Sequence, residues 1–203
     1  MKPTAADTLT ALDVIYSRRS VRSYTPEMVA ESTVSGLIDA AVQAPTAIGS
    51  PALSFVVVQN PRRLQRLSEL SKEIWQQKAQ TEPERVVRLK FDVGDEFFDR
   101  LNDPQFDIFH GAGTLVVICA RGTEWWETAG CWMAAENLML AAAALGLGTC
   151  CIGAAVDALN TAEMRRELAI PPNLTAVAPI VVGVPARPAG PIERRPADVI
   201  AWK

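Results

Sequence analysis

The stretch that decides the fold is Glu136 to Ala154, ENLMLAAAALGLGTCCIGA. Its first half belongs to an alanine-rich run from Gly130 to Leu145 with almost no charge, which reads as a helix buried on most sides. A helix apolar all round needs more cover than one sheet face provides. Gly146-Leu147-Gly148-Thr149 breaks it, and Cys150 to Ile152 follows as a short strand.

Further strands stand on either side. Phe55 to Gln59 (FVVVQ) is a β-branched run bounded by Asn60-Pro61, Thr114 to Ala120 (TLVVICA) is a second buried strand, and Leu174 to Val184 is a third long apolar one. Helices alternate with them. Residues 9 to 17 read as a short helix, and Thr25 as the N-cap of a second, with Pro26 at its first position and Val34, Leu37, Ile38 and Ala41 at helical spacing up to about Ala44. Pro61 to about Ala79 carries Leu64, Leu67 and Ile74 on one face, and Asn160 with Glu163 has capping-box spacing for a helix through about Leu168. The charged, mixed segment from Pro83 to Gln105 supports no assignment. Strands separated by helices give a layered α and β fold. No repeat or linker divides residues 1–203, so one domain is expected, with residues 1–12 as a lead-in and the proline- and arginine-rich stretch 185–203 as an extended surface arm.

The 203 residues are 49% apolar and 21% charged, with a net charge of −3, which is enough chain for a full core. With a pI near 5.3, the composition argues against broad nucleic-acid or anionic-membrane binding. Met1 to Leu12 holds no apolar run of signal-peptide length, and nowhere do eighteen uninterrupted apolar residues suggest a membrane span. Cys119, Cys131, Cys150 and Cys151 show no CxxC spacing and sit mostly in apolar runs, so they read as packing residues in a reducing, cytoplasmic setting. With His110 as the single histidine, no zinc-site spacing is present.

Against that acidic background stands Arg18-Arg19-Ser20-Val21-Arg22, three guanidiniums within five residues with a hydroxyl among them. Guanidinium forks match phosphate oxygens, so the cluster is a candidate anion site, the alternative being a solvated charge run. Two other features can join it. Ala44 to Pro51 (APTAIGSP) is a small-residue loop that lets backbone approach a planar ligand, or else a tight helix-to-strand turn. Arg194-Arg195-Pro196 is a second cationic group, or else a solvated tail.

Taken in order, SRRSVRSYTPE, AVQAPTAIGSPALSFVVV, ENLMLAAAALGLGTCCIGA, PIVVGVPARP and ERRPADVIAW resemble the nitroreductase-type flavoprotein family over about Asp13 to Trp202. The resemblance implies an α+β sandwich around a mixed, mainly antiparallel sheet flanked by helices, built as an intertwined homodimer with FMN at the subunit interface. It implies that Arg18, Ser20 and Arg22 bind the FMN phosphate and the pyrimidine side of the ring, with Arg19 close by and Arg194 and Arg195 adding cations. It places Thr46, Ala47 and Gly49 against flavin bound mainly by the other subunit, and the Ile152-Gly153-Ala154 backbone beside flavin N5. The chain departs from the family's Asn-x-Gln-Pro-Trp pattern at Gly49 to Leu53, and reads Gly111-Ala112-Gly113 where alanine-proline is usual.

The activity so implied is ping-pong hydride transfer from NAD(P)H through flavin N5 to a small acceptor such as a nitroaromatic, quinone or enone. In such chemistry the cofactor carries the reacting atom, so no catalytic side chain is assigned. No Gly-rich dinucleotide fingerprint follows any predicted strand. The alternative is a non-catalytic or repurposed dimer that binds flavin or a small anion. Trp125-Trp126 reads as interface or core packing, or else as a substrate wall, and His110 as structural, or else as a proton donor.

Overall fold

The computed structural model describes residues 9–46, 53–84, 86–87, 96–190 and 192–203. Four strands, β1 (Ser54–Val58), β2 (Thr114–Ala120), β3 (Gly148–Cys151) and β4 (Thr175–Gly183), form one sheet in the order β1-β2-β4-β3, every neighbouring pair antiparallel. Among the described residues, parallel pairing is confined to a single bridge between Ser20 and Thr149. Around the sheet lie helices α1 (Ala11–Ser17), α2 (Glu31–Ala41), α3 (Pro61–Thr81), α4 (Glu96–Arg100), α5 (Trp125–Ala144), α6 (Val156–Leu159) and α7 (Ala162–Glu167), with a 3-10 turn at Gly153–Ala155 leading into α6.

The alternation along β2 explains why TLVVICA is buried throughout. Leu115, Val117 and Cys119 face one core with Leu64 and Leu67 of α3 and Ala158, Leu159 and Met164 of α6 and α7. Val116, Ile118 and Ala120 face the other, with Val34 and Leu37 of α2 and Cys131, Ala134, Ala135 and Leu138 of α5. Helices therefore cover both faces of the sheet. Each aliphatic side chain so buried contributes about 1.5–3 kcal/mol relative to exposure.

Both capping expectations are corrected. Thr25 does not cap α2, which begins at Glu31 behind Ala30 and ends at Ala41. The Thr25 amide instead donates to Val184 O at 2.9 Å, so pairing with the end of β4 holds this stretch extended past Pro26. The N-cap of α7 is Thr161, whose hydroxyl accepts from the Met164 amide. Asn160 is already committed to Val156 O and to both backbone groups of Ala176, a tie from α6 to β4 that outcompetes local capping.

Helix α5 begins five residues earlier than the expected Gly130, and its burial is one-sided. Trp125, Trp126, Trp132 and Met133 are exposed, Trp125 by 74%, and Trp125 meets Trp126 edge-on at 5.7 Å. The tryptophan pair is thus not core packing, and an apolar face remains uncovered within one protomer. No described helix is long and apolar enough to cross a membrane.

Candidate functional site

The cationic segment leaves α1 and runs as a ribbon between β3 and the chain leaving β4. Val21 N donates to Thr149 O (2.9 Å), Ala186 N to Ser23 O (3.0 Å), and the Tyr24 hydroxyl to Val21 O (2.8 Å). Two glycines permit so close a seat. A Cβ on Gly148 would lie 2.8 Å from Val21, and one on Gly183 would lie 2.7 Å from the Tyr24 ring, both far inside contact distance.

The three arginines divide their work. Arg19 turns to backbone, donating to Tyr16 O (2.7 Å), Arg18 O (2.8 Å) and, through Nε, to Gly190 O (3.4 Å), so it fastens the C-terminal arm. Arg18 pairs through its buried Nε with Glu136 Oε1 of α5 at 3.3 Å, an ion pair outside hydrogen-bond geometry. Ser20 and Arg22 are exposed and, with Arg187, line a cavity of about 510 Å³ closed by Pro188, Gly190 and Ile192.

Arg187 is the residue that sequence reasoning missed, because a lone arginine among prolines carries no local signal. The Ala186–Ser23 pairing, with Tyr24 beside Pro185, brings it to Arg22. Arg194 and Arg195 are exposed, beyond Ile192, and the protomer does not bring them to this cavity. Further along the arm Ile200 and Trp202 are 96% and 88% exposed, so this end has no seat on its own protomer. Thr46 is exposed, while Ala47, Gly49 and the departure at Ser50 to Ala52 lie outside the described residues.

Arg22 and Arg187 also line a second, larger cleft of about 740 Å³. One wall is Cys150 with Ile152, Gly153 and Ala154, at the turn from β3 into α6. Much of the remaining lining is aromatic. Trp75, Phe97 and Phe98 make edge-to-face contacts at 5.3–6.0 Å, and Phe97 meets Phe106 at 6.1 Å. Helix α3 fastens the backbone wall at two points: Trp75 Nε1 donates to Ala154 O (3.0 Å), and Lys78 pairs with Asp157 (2.6 Å) while lying 5.0 Å over the Trp75 ring. The first N–H groups of a helical turn lack partners within it, and Gly153 and Ala154 open that turn on the cleft.

His110 lines the same cleft at a left-handed backbone position, φ 58, in a turn whose Asp107 carboxylate accepts from Phe109 N and Gly111 N. Burial pushes the Cys150 thiol up despite the pull of Arg22 and Arg18, and pushes Cys151 up to about 11, so both are protonated near neutrality. The described residues hold no cluster that could bind a metal ion.

A cationic pocket continuous with an aromatic-walled cleft is suited to a ligand with an anionic group at one end and a planar ring at the other. FMN has that form, and the donor set fits it. A model of the nitroreductase family matches residues 15–184. The chain belongs to the nitroreductase family. This nitroreductase-family chain is 27% identical over 183 residues to the FMN reductase (NAD(P)H) of Bacillus subtilis strain 168, covering 90% of this chain and 68% of that one. Two solved structures share its fold. A nitroreductase with bound FMN from Bacteroides fragilis NCTC 9343 has a TM-score of 0.76 at 23% identity, covering 97% of this chain and 98% of that one. Another with bound FMN, from Desulfitobacterium hafniense DCB-2, has a TM-score of 0.75 at 21% identity, covering 95% and 97%.

Proposed function

We propose that this chain is an FMN-dependent NAD(P)H oxidoreductase that reduces a small acceptor such as a nitroaromatic, quinone or enone. The observation that carries the proposal is the shared wall: Arg22 and Arg187 border both the cavity beside Ser20 and the cleft beside Gly153 and Ala154. When bound, FMN supplies hydride transfer, accepting from NAD(P)H and donating to the acceptor at flavin N5.

The chain's own residues bind and aim. Ser20, Arg22 and Arg187 offer a hydroxyl and two guanidiniums toward phosphate and the polar edge of the ring, and Arg18, ion-paired to Glu136, adds a further guanidinium from the same segment. Gly153 and Ala154 present backbone to the reacting edge of the ring, held in register by Trp75. Trp75, Phe97 and Phe98 exclude water from the cleft.

A homodimer completes this reading. The uncovered tryptophan face of α5 and the unseated end of the arm give two surfaces for a second copy. Through the arm, Arg194 and Arg195 would serve the partner's phosphate, and Thr46 would border the partner's flavin. The test is the visible spectrum of purified protein, supplied with FMN if needed. The expected result is a yellow protein bleached by NADPH or NADH and recoloured by a quinone. Failure to bind FMN overturns the proposal, and binding without bleaching identifies a non-catalytic flavin binder.

A further inference from the structure

We propose that the cleft selects acceptors that are planar aromatic anions, carboxylates above all, and that Arg100 is the residue that recognises the charge. The inference rests on the FMN-site reading, since it assigns the substrate class of that same cleft. Its chemistry is independent of the phosphate end.

Arg100, in the last turn of α4, places its guanidinium 4.2 Å from the centre of the Phe106 ring. A guanidinium stacked this way loses little as an electrostatic donor, because its N–H groups lie in the plane of the stack and stay available at its edge. Stacking also restricts the side chain before a ligand arrives, which lowers the ordering cost of pairing. Arg100 has no ion pair among the described residues.

Its surroundings point to the same ligand class. Arg22, Arg100 and Arg187 all line the cleft, and no Asp or Glu does among its described lining residues, although the chain as a whole carries a net charge of −3. Arg22 and Arg187 also face the Ser20 cavity, whereas Arg100 does not and is left for another anion. Half-buried Phe97 and Trp75, backed by buried Phe98 and Phe106, border the cleft with apolar area for a ring beside that charge. A planar guanidinium pairs a carboxylate through two parallel N–H bonds, so an aromatic carboxylate satisfies ring and charge together. The carboxylate is a handle and takes no part in electron transfer.

Isothermal titration of 4-nitrobenzoate and of its neutral isostere 4-nitrobenzamide tests this, using the protein as purified and after FMN loading. The expected result is tighter binding of the carboxylate by about tenfold or more, the worth of one charge-assisted hydrogen bond. Arg100→Met should bring that ratio near one, and Arg100→Lys should recover part of it, with the FMN dissociation constant measured in parallel for each variant. No preference in the parent protein, or a preference that survives Arg100→Met, overturns the assignment. So does a variant that alters only the discrimination between NADPH and NADH, since Arg100 would then read the reductant's phosphate. Failure to bind FMN counts against the cofactor reading, while the carboxylate-to-amide ratio still decides this one.

Discussion

Replacing Gly183 by alanine tests how the cationic ribbon is held. The new Cβ would lie 2.7 Å from Tyr24 Cδ1, 3.3 Å from Cγ and 3.4 Å from Cε1, so the ring must retreat by about 1 Å to restore ordinary carbon contact. Overpacking of this kind costs about 1–3 kcal/mol. For a chain of this size each kcal/mol lowers Tm by about 2–4 °C, so calorimetry should record a fall of about 2–12 °C. Tyr24 cannot move alone, because its hydroxyl is bonded to Val21 O and the adjoining Thr25 amide to Val184 O. Ser20 and Arg22 move with it, and FMN affinity measured by flavin-fluorescence quenching should fall about tenfold, the equivalent of one charge-assisted hydrogen bond. Adding Tyr24→Leu makes room for the methyl group and should recover part of that affinity. An alanine variant with unchanged Tm and unchanged FMN affinity refutes the reasoning.

Trp75→Phe keeps the edge contacts with Phe97 and Phe98 but removes the donor to Ala154 O, so calorimetry should show a loss of about 1–3 kcal/mol; a variant as stable as the parent would show that the tie carries no weight. Cys151 is exposed, yet desolvation of its thiol by the residues around it raises it to about 11, so the reactive thiolate is scarce below that pH and iodoacetamide labelling of FMN-free protein should rise roughly tenfold per pH unit between about pH 8 and 10. A plateau by about pH 9 in peptide mass spectrometry would contradict the shift. Light scattering should give a native mass near twice 22.0 kDa, reduced toward one copy by Trp132→Glu on the uncovered face of α5; a monomeric parent protein rules out the shared site.

Much of the fold was legible because its strands declare themselves locally. TLVVICA is a run of apolar residues bounded by turns, and β2 covers the same residues, Thr114–Ala120. Boundaries failed where a distant partner overrode a local signal, as when Val184 claimed the Thr25 amide and Ala176 claimed Asn160. In the candidate site, adjacency in sequence exposed the Arg18 to Arg22 cluster but not its division of labour, since Arg19 reaches Gly190 only through the fold. Arg187 was invisible for the same reason, and so was the aromatic wall, whose members come from α3, from α4 and from the turn before β2.

The central claim is that the Ser20 cavity and the aromatic cleft are two ends of one FMN site, joined at Arg22 and Arg187. The most direct measurement is the FMN dissociation constant of Arg187→Ala, by quenching of flavin fluorescence. The expected loss is ~1.5–3 kcal/mol, roughly a 10- to 150-fold weaker constant, with Tm of the FMN-free protein little changed. A dissociation constant equal to that of the parent protein would separate the two cavities and contradict it.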